Sequence, residues 1–107
     1  MPLLAGCSEI DPCENVVVKT VFSPDKSHKV VVFTRGCGAT TSDSTQVSLL
    51  RANEEEGNSG NALVFKDERD VEVTWKDDHT VELAYSWQDP IFQEAQPIDG
   101  VWIKFVR

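Results

Sequence analysis

Apolar and polar residues alternate along most of this chain with a period of two, which is the pattern of half-buried β-strands. Residues 70–76 show it most clearly, because an apolar side chain falls at every second position. Residues 80–86 repeat the alternation, and no window of twelve residues follows the 3.6-residue period of an amphipathic helix. The pattern predicts an all-β fold: a single antiparallel β-sandwich or flattened barrel of about eight short strands.

The first two predicted strands, residues 15–22 and 28–35, are apolar on both faces, because valines occupy odd and even positions alike. Strands that are buried on both sides lie in the middle of a sandwich or in a closed barrel. The intervening residues 23–27 contain Pro24 and Asp25, which are turn formers. We therefore expect these two strands to form a hairpin inside the fold.

The chain contains three cysteines, Cys7, Cys13 and Cys37. If Phe22 pairs with His28 in the first hairpin, that register places Cys13 directly opposite Cys37 at the open end. Directly opposed residues have Cβ atoms about 5 Å apart, which is close to disulfide reach. We predict a Cys13–Cys37 disulfide, worth about 3 kcal/mol for a closed loop of about 25 residues. The alternatives are a free thiol pair or a metal site, although the sequence lacks the CxxC spacing of zinc sites.

The strands over residues 70–76 and 80–86 are predicted to form a second hairpin. A three-residue loop, Asp77-Asp78-His79, places Trp75 opposite Val81 and keeps both inward faces apolar. A two-residue loop instead pairs Val73 with Glu82, because a shift of one residue turns every side chain to the other face. We therefore predict three loop residues.

Near the end of the chain, Asp99-Gly100 lies between two apolar runs, which is a strong signal for a tight hairpin turn. A hairpin through this turn does not separate apolar from polar side chains between its two faces, since Glu94 would lie opposite Phe105. Pro97 suggests a bulge or an edge strand in the first arm.

The chain opens with Leu4-Ala5-Gly6-Cys7, which resembles the lipobox of bacterial lipoproteins. The resemblance implies that the chain is cleaved before Cys7 and that its thiol carries a diacylglycerol anchor. Only three residues precede the box, whereas a signal peptide has an apolar segment of about 7–15 residues. We interpret residues 1–7 as a remnant of a lipoprotein signal and residues 8–107 as one β domain. The alternative is an accidental match with an ordinary cysteine.

The 107 residues carry a formal net charge of −8. This acidity argues against binding to nucleic acid or to an anionic membrane, because those ligands need a cationic surface. It favours a basic protein as partner, since complementary charge speeds the encounter. The sequence has no run of 18 apolar residues, so we expect contact with a membrane only through the lipid on Cys7.

Three stretches of the chain share a pattern with known sequences: Ser23-Pro24-Asp25 before residues 29–33, residues 35–41 with residues 45–48, and residues 72–75. Together they resemble a family of small, largely uncharacterised, exported bacterial proteins with an SPDG…VVF…CGATT…TQVS pattern and a preceding Cys. The resemblance covers roughly residues 13–105, and Lys26 stands where the family often has Gly. It implies export and a β architecture, and it supplies no activity.

Two features are candidates for binding a partner. Trp87 follows a predicted strand, and Trp is over-represented at binding hot spots; the alternative is a Trp that packs in the core or under a loop. The polar loop after Cys37 offers backbone N–H groups and hydroxyls. Its candidate residues are Thr40, Thr41, Ser42 and Asp43. The alternative there is a connection between sheets, held by side-chain-to-backbone hydrogen bonds.

The sequence contains no pattern typical of an enzyme, a metal site or a cofactor site. Its acidic residues lack the spacing of a calcium loop, and it has no Gly-x-Ser-x-Gly elbow. Arg35 is the only nearby cation that could activate Cys37 as a thiolate. We therefore expect no catalytic residue, metal or cofactor. An enzyme would instead present a concave pocket with a perturbed titratable group.

These observations favour a non-catalytic binding module of the bacterial cell envelope, exported and lipid-anchored. Ser8 follows the lipobox where inner-membrane retention usually uses Asp, which suggests the outer membrane where the cell has one. One hypothesis is that the protein inhibits a cationic hydrolase or toxin. It rests on analogy of size, location and fold class with small lysozyme-inhibitor and immunity lipoproteins. The alternative is a structural or assembly component of the envelope with no inhibitor role.

Overall fold

The structure, a computed structural model, describes residues 13–37, 43–57, 60–67, 70–85 and 90–106. The regular secondary structure within these ranges consists of β-strands alone, which confirms the all-β prediction. The strands are β1 (Glu14–Phe22), β2 (His28–Gly36), β3 (Ser44–Arg51), β4 (Leu63–Phe65), β5 (Val71–Asp77), β6 (Thr80–Tyr85), β7 (Phe92–Gln93) and β8 (Trp102–Val106). No helix in the described part of the chain is long and apolar enough to cross a membrane.

The strands form two sheets, ordered β1-β2-β3-β4-β7 and β5-β6-β8, which do not close into a barrel. The core between them consists of alternate, inward-facing residues of both sheets, as the period of two predicts. Its fully buried members include Val30, Val32, Val47, Leu63, Val71, Val81 and Leu83. The five-stranded sheet is antiparallel throughout, whereas β6 and β8 pair in parallel, which the sequence did not indicate.

The first hairpin has the predicted register at its open end but not at its turn. Phe22 pairs with Lys29, one residue later than predicted, and a bulge at Val18 removes that offset farther along. A bulge inserts one extra residue into one strand, so the two deviations cancel before the cysteines are reached. Cys13 and Cys37 form the predicted disulfide, with an S–S distance of 2.04 Å.

The central strands β2 and β3 are buried on both faces, but a loop covers the second face instead of a sheet. Phe33, which points away from the second sheet, is fully buried. Two described residues between β3 and β4 lie against this face, because Gly60 N donates to Gln46 Oε1 and Asn15 Nδ2 donates to Gly57 O. The described residues of this polar loop therefore cover part of the outer face of the five-stranded sheet while most of them stay exposed to solvent.

The hairpin of β5 and β6 has the predicted core register, with Trp75 opposite Val81. The predicted loop length is wrong, because Asp77 pairs with Thr80 and only two residues form the turn. A bulge at Lys76 supplies the extra residue, so the apolar faces still meet. Sequence alternation thus predicted which side chains face each other, but it did not predict whether the extra residue lies in the turn or in a bulge of the strand.

The turn at Asp99-Gly100 is confirmed, but the hairpin arms do not continue. Asp99 and Gly100 have φ angles of 50° and 80°, as a type I′ turn requires, and Ile98 and Val101 exchange two backbone hydrogen bonds of 3.0 and 2.9 Å. Beyond that one pair, β7 joins the first sheet and β8 joins the second. The two arms belong to different sheets, so their side chains share neither an inward nor an outward face. This explains why the predicted hairpin placed polar side chains opposite apolar ones.

Candidate binding surface

Strand β1 is an edge strand and carries much of the exposed apolar surface of the described residues. It pairs only with β2 in the described sheet, and Val16, Val17 and Val18 are 59%, 47% and 57% exposed. Phe22, at the far end of the strand, is 45% exposed. This corrects the prediction that both strands of the hairpin lie inside the fold. An apolar pattern on both faces therefore does not distinguish a buried central strand from an edge strand with exposed apolar side chains.

Two long side chains fix β1 against the second sheet. Lys19 Nζ donates a hydrogen bond of 2.8 Å to the carbonyl oxygen of Val71, and Trp75 Nε1 donates one of 3.1 Å to that of Val21. Trp75 is partly buried against the core, in agreement with its predicted core position. The exposed valines therefore lie on a strand whose position is held from the inner side.

Carboxylates border this edge strand. Lys19 Nζ lies 3.9 Å from both Asp70 Oδ1 and Glu72 Oε2, and these two acidic side chains are 85% and 72% exposed. They also line an open pocket of about 370 Å³ together with Ala84 and Tyr85. One ammonium group thus faces two carboxylates across distances too long for direct hydrogen bonds. The border of β1 keeps an excess of negative charge.

At the turn end of the first hairpin, His28 and Arg51 of the five-stranded sheet contact Asp99, in the turn that leads to the second sheet. His28 Nε2 lies 2.9 Å from Asp99 Oδ2, and Arg51 donates to both oxygens of Asp99 at 3.1 and 3.2 Å. The hydrogen bonds from Arg51 and then His28 lower the pKa of Asp99 to about 2. The same contact with Asp99 raises the pKa of Arg51 above its usual value.

The turn between β1 and β2 is held by the carboxylate of Asp25. Its Oδ1 accepts hydrogen bonds from Ser27 N at 3.0 Å and from the hydroxyls of Ser23 and Ser27 at 2.8 Å. The backbone hydrogen bond from Ser27 is the main reason that the pKa of Asp25 is lowered to about 2. Asp25 N donates to Asp78 Oδ1 at 3.0 Å, which links this turn to the turn of the second hairpin.

Ser27, His28 and Asp99 are connected in the order of a nucleophile, base and acid, since Ser27 Oγ lies 3.0 Å from His28 Nδ1. The hydroxyl of Ser27 is also hydrogen-bonded to Asp25. The nearby groove of about 350 Å³ is lined by Arg51, Asp99 and neighbouring residues, and Ser27 is not among its lining residues. We interpret this connection as part of the turn. Among the described residues, no group of three His, Cys, Asp or Glu side chains could hold a metal ion.

The predicted lipid-attachment residue and most of the predicted partner-binding residues cannot be placed on this surface. Cys7, Thr40, Thr41, Ser42 and Trp87 lie outside the residues that the structure describes. Asp43 is described and exposed, and its carboxylate occupies the space beside Gly36 where a larger residue would place its Cβ.

Trp102 is an exposed aromatic residue that the sequence analysis did not single out. Its side chain is 60% exposed on the outer face of the second sheet, where it lies beside Thr80 of β6. The signal was available, because Val101, Ile103 and Phe105 occupy the inward positions of that strand. The alternation therefore directs Trp102 outward.

Comparisons with family models, with curated proteins and with solved structures find no match for this chain. The resemblances described for the N-terminal lipobox and for the exported family remain predictions. The candidate surface is therefore defined by its geometry alone.

Proposed function

We propose that this chain is a non-catalytic binding module of the bacterial cell envelope, anchored by lipid on Cys7, that docks a cationic protein. A basic hydrolase or toxin that the module inhibits is the partner class we favour. The alternative, a structural component of the envelope, predicts a permanent partner and no inhibition.

Export is supported by the disulfide between Cys13 and Cys37. Disulfides form and persist in oxidising compartments such as the periplasm and are rare in the reducing cytosol. The bridge also leaves Cys7 as the third cysteine, which fits its proposed role as the lipid carrier.

The observation that carries the proposal is the exposed apolar edge strand β1 on a chain of net charge −8. Exposed apolar patches with polar borders are typical of protein interaction sites. Here the border contains Asp70 and Glu72, so a partner gains both apolar burial and charge complementarity if it is basic.

The binding test uses a small cationic lysozyme as the probe, with association rates measured at about 50 and 500 mM salt by stopped-flow fluorescence. We expect inhibition of the lysozyme and an association rate that falls at least tenfold at the higher salt, because salt screens charge steering. The double variant Asp70→Asn/Glu72→Gln should slow association more than Glu54→Gln/Glu55→Gln, which removes the same charge from the segment after β3. No binding at low salt, or a rate independent of salt, contradicts the inhibitor proposal.

The anchor is tested by expressing the gene in a bacterium behind its native upstream region and measuring the intact mass of membrane-bound protein. We expect a diacylglycerol adduct on Cys7 and release into the soluble fraction in Cys7→Ser. Unmodified Cys7 in the membrane fraction would contradict lipid anchoring. Cys37→Ser serves as a control that should not change the adduct.

A further inference from the structure

The backbone of β1 offers a row of hydrogen-bonding groups on its outer side. Ser23 N donates to His28 O at 2.9 Å, and bonded and non-bonded pairs alternate along an antiparallel hairpin. The N–H and C=O groups of Phe22 and Thr20 therefore point away from β2. The same alternation on β2 directs the N–H and C=O groups of Phe33 toward β3. The N–H and C=O groups of Val17, which lies opposite Phe33, therefore also point away from β2.

Two features disfavour pairing of this edge with a second copy of the chain. The bulge at Val18 and the inward charge of Lys19 are devices that protect edge strands against flat edge-to-edge association. Two copies would also bring together two chains of net charge −8. A basic segment of another protein meets no such charge repulsion, and a short segment needs less of a regular edge than a second copy of the nine-residue β1.

We infer that β1 binds its cationic partner by strand addition, through an extended segment in which apolar and basic residues alternate. This inference rests on the proposed function. Successive side chains of an added strand point to opposite faces. One set would lie beside Val17 and Phe22, and the other would face the second sheet, where Asp70 and Glu72 border the edge.

The probe is a ten-residue peptide of alternating Lys and Val, with a Glu-Val peptide of the same length as its matched control. Binding is measured by calorimetry at about 50 mM salt, where charge attraction is weakly screened. We expect the Lys-Val peptide to bind at least tenfold more tightly than the Glu-Val peptide. We also expect amide exchange at Val17, Thr20 and Phe22 to slow at least tenfold in the complex.

The variant Thr20→Pro removes the outward N–H at a position where an edge strand tolerates proline. It should weaken Lys-Val peptide binding at least tenfold, whereas Thr20→Ala should change it less than twofold. Circular dichroism checks that both variants keep the β fold, and amide exchange of the unsubstituted protein tests the inference independently of them.

Three outcomes overturn the inference. Peptide binding that Thr20→Pro does not weaken, in a folded variant, excludes strand addition but leaves docking of the cationic lysozyme intact. Slow exchange of Thr20 and Val17 before peptide is added shows that the edge is already covered, and a dimer in sedimentation identifies a second copy as the cover. Equal binding of both peptides contradicts the inference that the added segment is basic. Together with an association rate with lysozyme that does not depend on salt, it contradicts the proposed function as well.

Discussion

The two ends of the first hairpin are closed by different chemistry. At the open end, a covalent bond joins Cys13 to Cys37. At the turn end, charged and polar side chains converge on the carboxylates of Asp25 and Asp99. The first closure depends on redox conditions and is indifferent to moderate acid, whereas the second depends on ionised carboxylates and is indifferent to reductant. The comparison shows that a small sandwich can be stabilised at both ends of one hairpin by interactions that respond to different conditions, so that neither reductant nor moderate acid alone weakens both.

Loss of the disulfide should have the largest effect. In the chain-entropy model, the double variant Cys13→Ser/Cys37→Ser should lower the free energy of unfolding by about 3 kcal/mol. Urea denaturation followed by tryptophan fluorescence measures the change. Added reductant should destabilise the unsubstituted protein by a similar amount and leave the double variant unaffected. Equal stability with and without the bridge would show that the open end is held by packing alone.

The acid response of the turn end should be smaller, because Asp25 and Asp99 are exposed to solvent and their interactions are screened. Their pKa values are about 2 in the folded protein, below the ordinary value of 3.8. The stability they contribute is therefore present above about pH 4 and is lost as the pH falls toward 2. Urea denaturation between these pH values should show this loss.

The matched variants for the acid response are Asp99→Asn and Asp25→Asn. Asn is compatible with the positive φ of residue 99, so Asp99→Asn removes the charge without straining the backbone. Each variant should be less stable than the unsubstituted protein at neutral pH and should lose less stability in acid. An unchanged acid profile in both variants would mean that other carboxylates produce the response.

The smallest effect should be a gain, from Lys26→Gly in the same turn. Lys26 has a φ of 62°, which costs a residue with a side chain roughly 1–2 kcal/mol, while glycine loses about 0.5–1 kcal/mol more backbone entropy on folding. The net result should be stabilisation by about 0.5 kcal/mol. Lys26→Ala keeps the backbone penalty and should be nearly neutral. A loss of stability in Lys26→Gly would show that the lysine side chain makes a stabilising contact.

Local alternation predicted the all-β class, the core faces of β5 and β6 and the disulfide. It could not predict the bulges at Val18 and Lys76, because an inserted residue leaves no mark in composition. It also could not separate β1 from β2, since Val16 and Val30 belong to equally apolar runs. The difference between them depends on which strands become neighbours, and that is decided by residues far away in sequence.

The candidate surface was beyond the sequence for the same reason. Lys19 and Asp70 approach each other only because two separate sheets pack face to face. The turn at Asp99-Gly100 was found from its two residues, but the separation of its arms was not. Local signals located this turn, whereas the choice of sheet for each arm is a property of the whole fold.

The divided course of the chain around Asp99-Gly100 has a consequence for the order of folding. β7 pairs with β4 in one sheet, and a few residues later β8 pairs with β6 in the other. Contacts between segments so distant in sequence form late and slow the search for the native state. Neither sheet can therefore be completed as an independent unit, and we expect the molecule to unfold in one cooperative step with no half-formed intermediate at equilibrium.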